Sequence, residues 1–185
     1  TLIVHARKAI LKGLSPKQNR EIPPLNYEKV YRLKEQFPQT AIIINGGVSG
    51  IEECKTHLHY VDGVMIGRAA YQRPALLMAV DCELFNDPAS LPVELPNVSS
   101  HALIVGRQFL DYVNTHYHQG IPVWHMVRHS LGLFHGQPGG KAFRRYLSEH
   151  ALKKSAKPDV FEKALGMVEQ YQHIYQSPSP SLRVG

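Results

Sequence analysis

The sequence predicts an α/β segment followed by an all-α segment, and three observations carry that division. Short runs apolar on both faces, Leu2-Ile3-Val4, Ala41-Ile42-Ile43-Ile44 and Val61 to Ile66, recur with helical patterns between them. Strands of this kind belong to a parallel sheet covered on both sides. Composition then shifts between Asn86 and Ser99, where Pro88, Pro92 and Pro96 mark a boundary. Beyond it, four amphipathic stretches with short connections and no convincing strand predict a small helical bundle. The expected organisation is residues 1–87 as the α/β part, 88–98 as a linker, 99–176 as the helical domain and 177–185 as a loose Ser/Pro tail.

Each element has a local reason. The first apolar run ends at His5 and gives way to a long polar connection, closed by Glu21-Ile22-Pro23-Pro24, where two prolines forbid regular structure. Tyr27 to Phe37 reads as a helix, with Val30, Leu33 and Phe37 on one face. The second strand is stopped by Asn45-Gly46-Gly47, after which Ser49 is expected to cap a helix to about His59 with Glu52 as its capping-box partner. The third strand ends at Gly67-Arg68, and Ala69 to Phe85 is mostly helical with an interruption near Pro74. His101 to His118 places Leu103, Leu110, Val113 and Tyr117 on one stripe. Pro122 is expected to open a second helix through Phe134, ended by Gly136. Pro138-Gly139-Gly140 precedes a third, with Phe143, Leu147 and Ala151 inward, and Pro158 opens a fourth, with Phe161, Leu165, Val168 and Tyr171 or Gln172 in register.

Composition narrows the function. Of 185 residues, 43% are hydrophobic and 19% charged, a globular mix that argues against disorder. The longest unbroken apolar run, Ala75 to Val80, falls far short of the roughly 18 residues a membrane span needs. Thr1 to Ala6 forms a strand-like segment rather than a secretory signal. Two cysteines without a CxxC exclude a zinc ribbon and a disulfide scaffold and point to a reducing cytoplasm. The net charge of +6 is unevenly placed: residues 1–98 carry 11 Lys/Arg against 10 Asp/Glu, whereas 99–176 carry 9 against 5 and hold 8 of the 11 histidines. The second half is therefore the expected polyanion surface. One exception is the first-half run Arg7, Lys8, Lys12, Lys17 and Arg20, which meets no acid before Glu21.

Three chemically useful features fall at the C-terminal ends of the three strands: His5, then Asn45-Gly46-Gly47, then Gly67-Arg68. Ligands of parallel α/β folds bind along that edge. Paired glycines let the main chain approach a phosphate closely, and a guanidinium opening the next helix adds charge to the same anion. Phosphate clamping by the last two β-α loops is a habit of the eight-stranded β/α barrel. Singly, the glycines fit a tight turn, Arg68 a surface charge and His5 a satisfied polar residue; recurrence after three consecutive strands supports the phosphate reading. His57-x-His59 and His116-x-His118 lack further ligands at suitable spacing and read as exposed helix histidines, so no metal site is expected.

The strings His5-Ala6-Arg7-Lys8, Gly13-Leu14-Ser15-Pro16 and Asn19-Arg20-Glu21-Ile22-Pro23-Pro24-Leu25 resemble the tRNA-dihydrouridine synthases, in particular their bacterial DusA branch. So do Ile44-Asn45-Gly46-Gly47 and Asp62-Gly63-Val64-Met65-Ile66-Gly67-Arg68-Ala69-Ala70-Tyr71. The helical half agrees through Arg128-His129, Leu131-Gly132-Leu133-Phe134, Gly136 and Phe143-Arg144-Arg145-Tyr146-Leu147-Ser148-Glu149. The resemblance implies the last three β/α units of an FMN-binding TIM (β/α)8 barrel, followed by a helical tRNA-binding bundle. It implies that NADPH reduces FMN and that the flavin passes a hydride to a D-loop uridine, conventionally 20 or 20a, flipped from its stack. By the same resemblance His5 contacts FMN, Asn45, Gly46 and Gly47 bind its phosphate, and Gly67 with Arg68 completes the clamp. Lys17 and Arg20 lie in the loop facing tRNA, and Lys141, Arg144 and the neighbouring Arg145 address the RNA backbone. With Phe143 taken as the core direction, Lys141 and Arg145 point nearly opposite and Arg144 to one flank.

The sequence departs from the family in having only three strands, where a barrel needs eight and about 250 residues. The family's proton-donating cysteine sits in an Asn-x-Gly-Cys-Pro pattern that is absent here, so no catalytic residue is expected in this chain. Cys54 and Cys82 lie on predicted helices and read as structural. The chain, beginning at Thr1, therefore reads as the C-terminal piece of a longer enzyme, inactive alone. Its open sheet is expected to aggregate or to dock against the missing N-terminal half of the barrel. A tRNA-binding module that has lost catalysis is the alternative.

Overall fold

The computed structural model describes residues 1–85 and 95–176. The expected tail, 177–185, and residues 88–94 of the expected linker lie outside the described residues. The chain divides into two compact units, Thr1–Ala70 with Ala79–Ser90 and Tyr71–Met78 with Leu91–Gly185.

The first unit is built on three parallel strands in the order β1 (Leu2–His5), β2 (Ile42–Asn45) and β3 (Gly63–Met65). Register places His5 beside Asn45 and Asn45 beside Met65, so the strands end level along one edge. Ile42 and Ile44 on the central strand are wholly buried and meet Val30 of α2 (Tyr27–Gln36), together with Ala6 and Val61. On β1, an edge strand among the described residues, Leu2 and Ile3 are 51% and 55% exposed.

Two local readings change. The long connection after β1 contains a single helical turn, α1 (Pro16–Asn19), closed by a reciprocal Ser15–Gln18 capping box. The Asn19 side chain ties the loop across, accepting from the Ile10 amide at 2.8 Å and donating to the Ile10 carbonyl at 2.9 Å. Helix α3 (Ile51–Leu58) is not capped by a Ser49–Glu52 pair; Gly50 is its N-cap, and the Glu53 carboxylate accepts from the Ser49 amide at 2.6 Å. After β3 the chain runs through α4 (Arg68–Gln72), a 3₁₀ segment (Pro74–Ala79) and α5 (Val80–Phe85), the interruption falling at the expected proline.

The second unit contains α6 (Leu95–His118), α7 (Val123–Val127), α8 (Gly140–His150) and α9 (Asp159–Gln176). Helix α6 starts earlier than expected and takes in residues 95–98 of the predicted linker. Proline in a first helical turn costs no hydrogen bond, so Pro96 does not block the extension. The expected helix from Pro122 to Phe134 is instead α7 followed by a 3₁₀ turn, Arg128–Ser130. There the Ser130 hydroxyl donates to the Val127 carbonyl at 2.8 Å, a local bond that competes with helix continuation.

Phe134, Phe143 and Phe161 form the centre of the bundle core, the Phe134–Phe143 rings edge to face at 4.9 Å between centroids. Leu147, Leu165, Val113, Val127 and Val168 close around them. In the fourth helix Gln172, not Tyr171, takes the inward position. An Arg107–Glu169 bond of 2.6 Å ties α6 to α9. Removing a wholly buried phenyl ring loses its transfer energy and leaves a cavity, so Phe143→Ala is expected to destabilise this unit by roughly 3–5 kcal/mol. Urea unfolding followed by far-UV circular dichroism measures it; a loss below about 1 kcal/mol would contradict this packing.

Candidate functional site

The three strand ends meet along one edge. The Ala6 amide donates to the Asn45 carbonyl at 2.7 Å, carrying the β1–β2 pairing one step beyond His5. The chain then turns through Gly46 and Gly47 at φ +119° and +77°, a path that residues with a side chain rarely take. A side chain at either glycine would also have to displace Leu25. A Cβ on Gly46 would lie 3.0 Å from Leu25 Cδ2 and 3.2 Å from His5 Cε1, and one on Gly47 only 2.6 Å from Leu25 Cδ1. The Tyr27 hydroxyl donates to the Gly46 carbonyl at 2.9 Å and fixes the loop from below. The result is a rigid stretch of bare main chain at the strand ends, suited to close approach by an anion.

Charge at this edge is arranged accordingly. Burial, then the neighbouring Arg7 and Arg68 guanidiniums, hold His5 below the usual histidine range. Arg68 opens α4 and rests 3.6 Å from Glu21. Both partners are about half exposed, and such a pair contributes about 0–1 kcal/mol, so Arg68 is easily transferred to another anion. A Cβ on Gly67 would meet nothing within 4 Å, so the main chain just before Arg68 borders open space. His5, Asn45, Gly46, Gly47, Gly67 and Arg68 thus belong to one edge of one unit, in agreement with their spacing along the sequence.

Lys17 and Arg20 are exposed on the excursion between β1 and α2. Arg7 pins the base of that excursion: its guanidinium donates to the Pro23 carbonyl and, at 3.3 Å, to the Glu21 carbonyl, while Arg7 and Leu25 form an antiparallel bridge. In the helical unit, α8 presents Lys141 and Arg145 to solvent and buries Phe143 and Leu147, leaving Arg144 half-buried on the flank as its register requires. One Arg144 terminal nitrogen, Nη1, is buried without an acceptor.

The model of the family described as "Dihydrouridine synthase (Dus)" matches residues 1–169. The chain belongs to the dihydrouridine synthase family. It is 48% identical over 166 residues to the "tRNA-dihydrouridine(20/20a) synthase" of Shigella flexneri, covering 90% of this chain and 47% of that protein. The protein of the same name from Escherichia coli (strain K12) is also 48% identical over 166 residues, and that from Xylella fastidiosa (strain 9a5c) is 47% identical over 171. The chain spans about half the length of these relatives.

Within this member of the family, three residues support the loops without having been assigned a role by sequence. Leu25 and Tyr27 shape the glycine loop, and Arg7 anchors the excursion. Paired glycines announce that a neighbour is close, but no spacing rule says that the neighbour lies some twenty residues upstream. His57 is a correction: it is not an exposed helix histidine but is 5% exposed, because α3 turns it inward beneath the loop. Its Nδ1 lies 2.7 Å from the Tyr31 hydroxyl, and its ring meets Tyr27 edge-on at 4.4 Å. Cys54 is wholly buried with its thiol pushed up by burial, as a structural cysteine should be, and Cys82 is half-buried and free. Among the described residues no group of three or more His, Cys, Asp or Glu could hold a metal ion.

Burial lowers His57 as well as His5, which gives stability a definite pH dependence. Below the ordinary histidine value of 6.5 the unfolded chain takes up protons that the folded chain resists, so stability is full above that value. It falls as pH drops from 6.5 towards the lower folded values. Melting temperature between pH 8 and 5 checks this, and His57→Gln is expected to flatten the fall; an unchanged profile would show that His57 does not carry it.

Proposed function

We propose that this chain is the flavin-phosphate-binding and tRNA-binding part of a cytoplasmic tRNA-dihydrouridine synthase that reduces D-loop uridines 20 and 20a, with FMN as cofactor and NADPH as reductant. The observation that carries the proposal is the convergence of His5, Asn45, Gly46, Gly47, Gly67 and Arg68 at one sheet edge, in a chain nearly half identical to proteins of that name.

The residues present fit a flavin phosphate. Bare main chain at Gly46-Gly47, a transferable Arg68 and open space beside Gly67 make a cationic cradle without a buried carboxylate in it. In this reading the cradle would hold the flavin by its phosphate, with His5 as a further contact. The chemistry supplied when FMN is bound is hydride transfer to the uracil ring, renewed from NADPH. Lys17, Arg20, Lys141, Arg144 and Arg145 neutralise tRNA phosphates. The half-exposed Leu2 and Ile3 of β1, an edge strand among the described residues, favour further strands completing a (β/α)8 barrel, and that remainder would supply the proton donor. This chain alone is then inactive. The complete cradle argues against a tRNA-binding module that has lost its flavin.

Two measurements on the protein separate the two binding functions. Arg68→Ala removes a charge-assisted contact worth about 1.5–3 kcal/mol, so FMN affinity is expected to drop roughly ten- to hundredfold with tRNA affinity unchanged. Lys141→Ala with Arg144→Ala is expected to lower the slope of log affinity for tRNA against log salt by about two, with FMN binding intact. Unchanged FMN affinity in the first variant, or an unchanged salt slope in the second, would contradict the corresponding assignment.

A further inference from the structure

The helical unit holds a second cationic site, away from the exposed face of α8. A pocket of about 370 Å³ opens between Tyr71 and Gln72 at the end of α4, the Arg128–Ser130 turn and α8. Its charged lining is Arg128 and Arg144, with no carboxylate, and Leu131 and Gly132 supply an apolar floor. The walls are fixed. A Cβ on Gly132 would collide with the Gln72 carbonyl oxygen, so the turn lies directly on the end of α4.

A hydrogen-bond chain along the wall determines which donors remain. Arg128 Nε donates to His129 Nε2 at 3.1 Å, and because a guanidinium is always protonated, that ring nitrogen must be the bare one. His129 therefore carries its proton on Nδ1, which lies 2.9 Å from the Tyr71 hydroxyl oxygen and donates to it. The Tyr71 proton is left to point elsewhere. Arg128 keeps its terminal nitrogens without an acceptor among the described residues, and Arg144 Nη1 is buried and unpaired. Arg128 and Arg144 thus bring two positive charges to a wall whose lining residues include no carboxylate.

We infer that this pocket seats a phosphodiester group of the bound RNA, with Arg128 and Arg144 as the charge and Tyr71 as a neutral donor held in place by His129. The inference rests on the proposed tRNA-binding role and adds a built pocket to the exposed cations of α8. A volume of several hundred cubic ångströms exceeds that of a phosphate alone, and the apolar floor suits the sugar attached to it. Phosphate contacts of this kind fix the register of a nucleic acid without reading its sequence.

The test is the salt dependence of binding to an unmodified tRNA transcript by the protein and three variants, each first shown to melt like the parent. Arg128→Gln removes a charge and is expected to lower the salt slope by about one. Arg128→Lys keeps the charge and is expected to keep the slope. Tyr71→Phe removes only a neutral donor, so affinity should drop about tenfold with the slope unchanged. Normal tRNA binding by the parent with no change in slope for Arg128→Gln would overturn the pocket and leave the tRNA role standing. If inorganic phosphate raises the melting temperature in an Arg128-dependent way while tRNA binding ignores Arg128, the site takes a free anion and the RNA assignment is overturned. Failure of the parent to bind tRNA would overturn the tRNA role and this assignment together.

Discussion

The strand-end edge of the α/β unit depends on one steric constraint: the volume beside Gly46 and Gly47 is filled by Leu25. Leu25 is held by its bridge to Arg7, and Arg7 grips the carbonyls of Glu21 and Pro23. Tyr27 adds a hydrogen bond to Gly46 from the same segment, and buried His57 supports the Tyr27 ring. A side chain at either glycine would push Leu25 outward and disturb the base of the whole excursion. The glycine loop and the loop that carries Lys17 and Arg20 are therefore one mechanical assembly.

The helical unit solves a different problem. Its core of phenylalanines and branched aliphatics is closed and needs no ligand to complete it. Lys141 and Arg145 stand on the exposed face of α8, and Arg128 on the turn before it. A flavin phosphate is one small group that rewards a rigid backbone. An RNA backbone is extended and repetitive, and it rewards charge distributed over several positions. The Tyr71–Met78 segment groups with the helical unit, and the packing of Gly132 on Gln72 with the Tyr71–His129 bond supplies the reason.

Much of this was legible in the residues. Ile42 and Ile44 in an unbroken apolar run announce a buried parallel strand, and Phe143, Leu147 and Ala151 at helical spacing announce an inward face. Positions after each strand could be assigned to one edge because parallel connectivity forces their ends to the same side. What could not be read depended on tertiary neighbours. His57 sits on a short helix whose polar neighbours suggest exposure, and only the inward turn of α3 over Tyr27 and Tyr31 buries it. Val127 to Ser130 has helical composition, but one hydroxyl bonding back to Val127 tightens it into a 3₁₀ turn. The partners of Gly46 and Gly47 lie in the segment after two prolines, a region without periodicity from which no contact can be inferred.

Amide hydrogen exchange, followed with FMN alone and then with tRNA alone, tests most directly whether flavin binding is confined to the first unit while tRNA reaches both. FMN is expected to slow exchange at residues 46–48 and 67–68 while leaving α8 unchanged, and tRNA to protect the excursion around Lys17 and the Arg128 turn. Protection by FMN within the helical unit, or none at the glycine loop, would contradict that division.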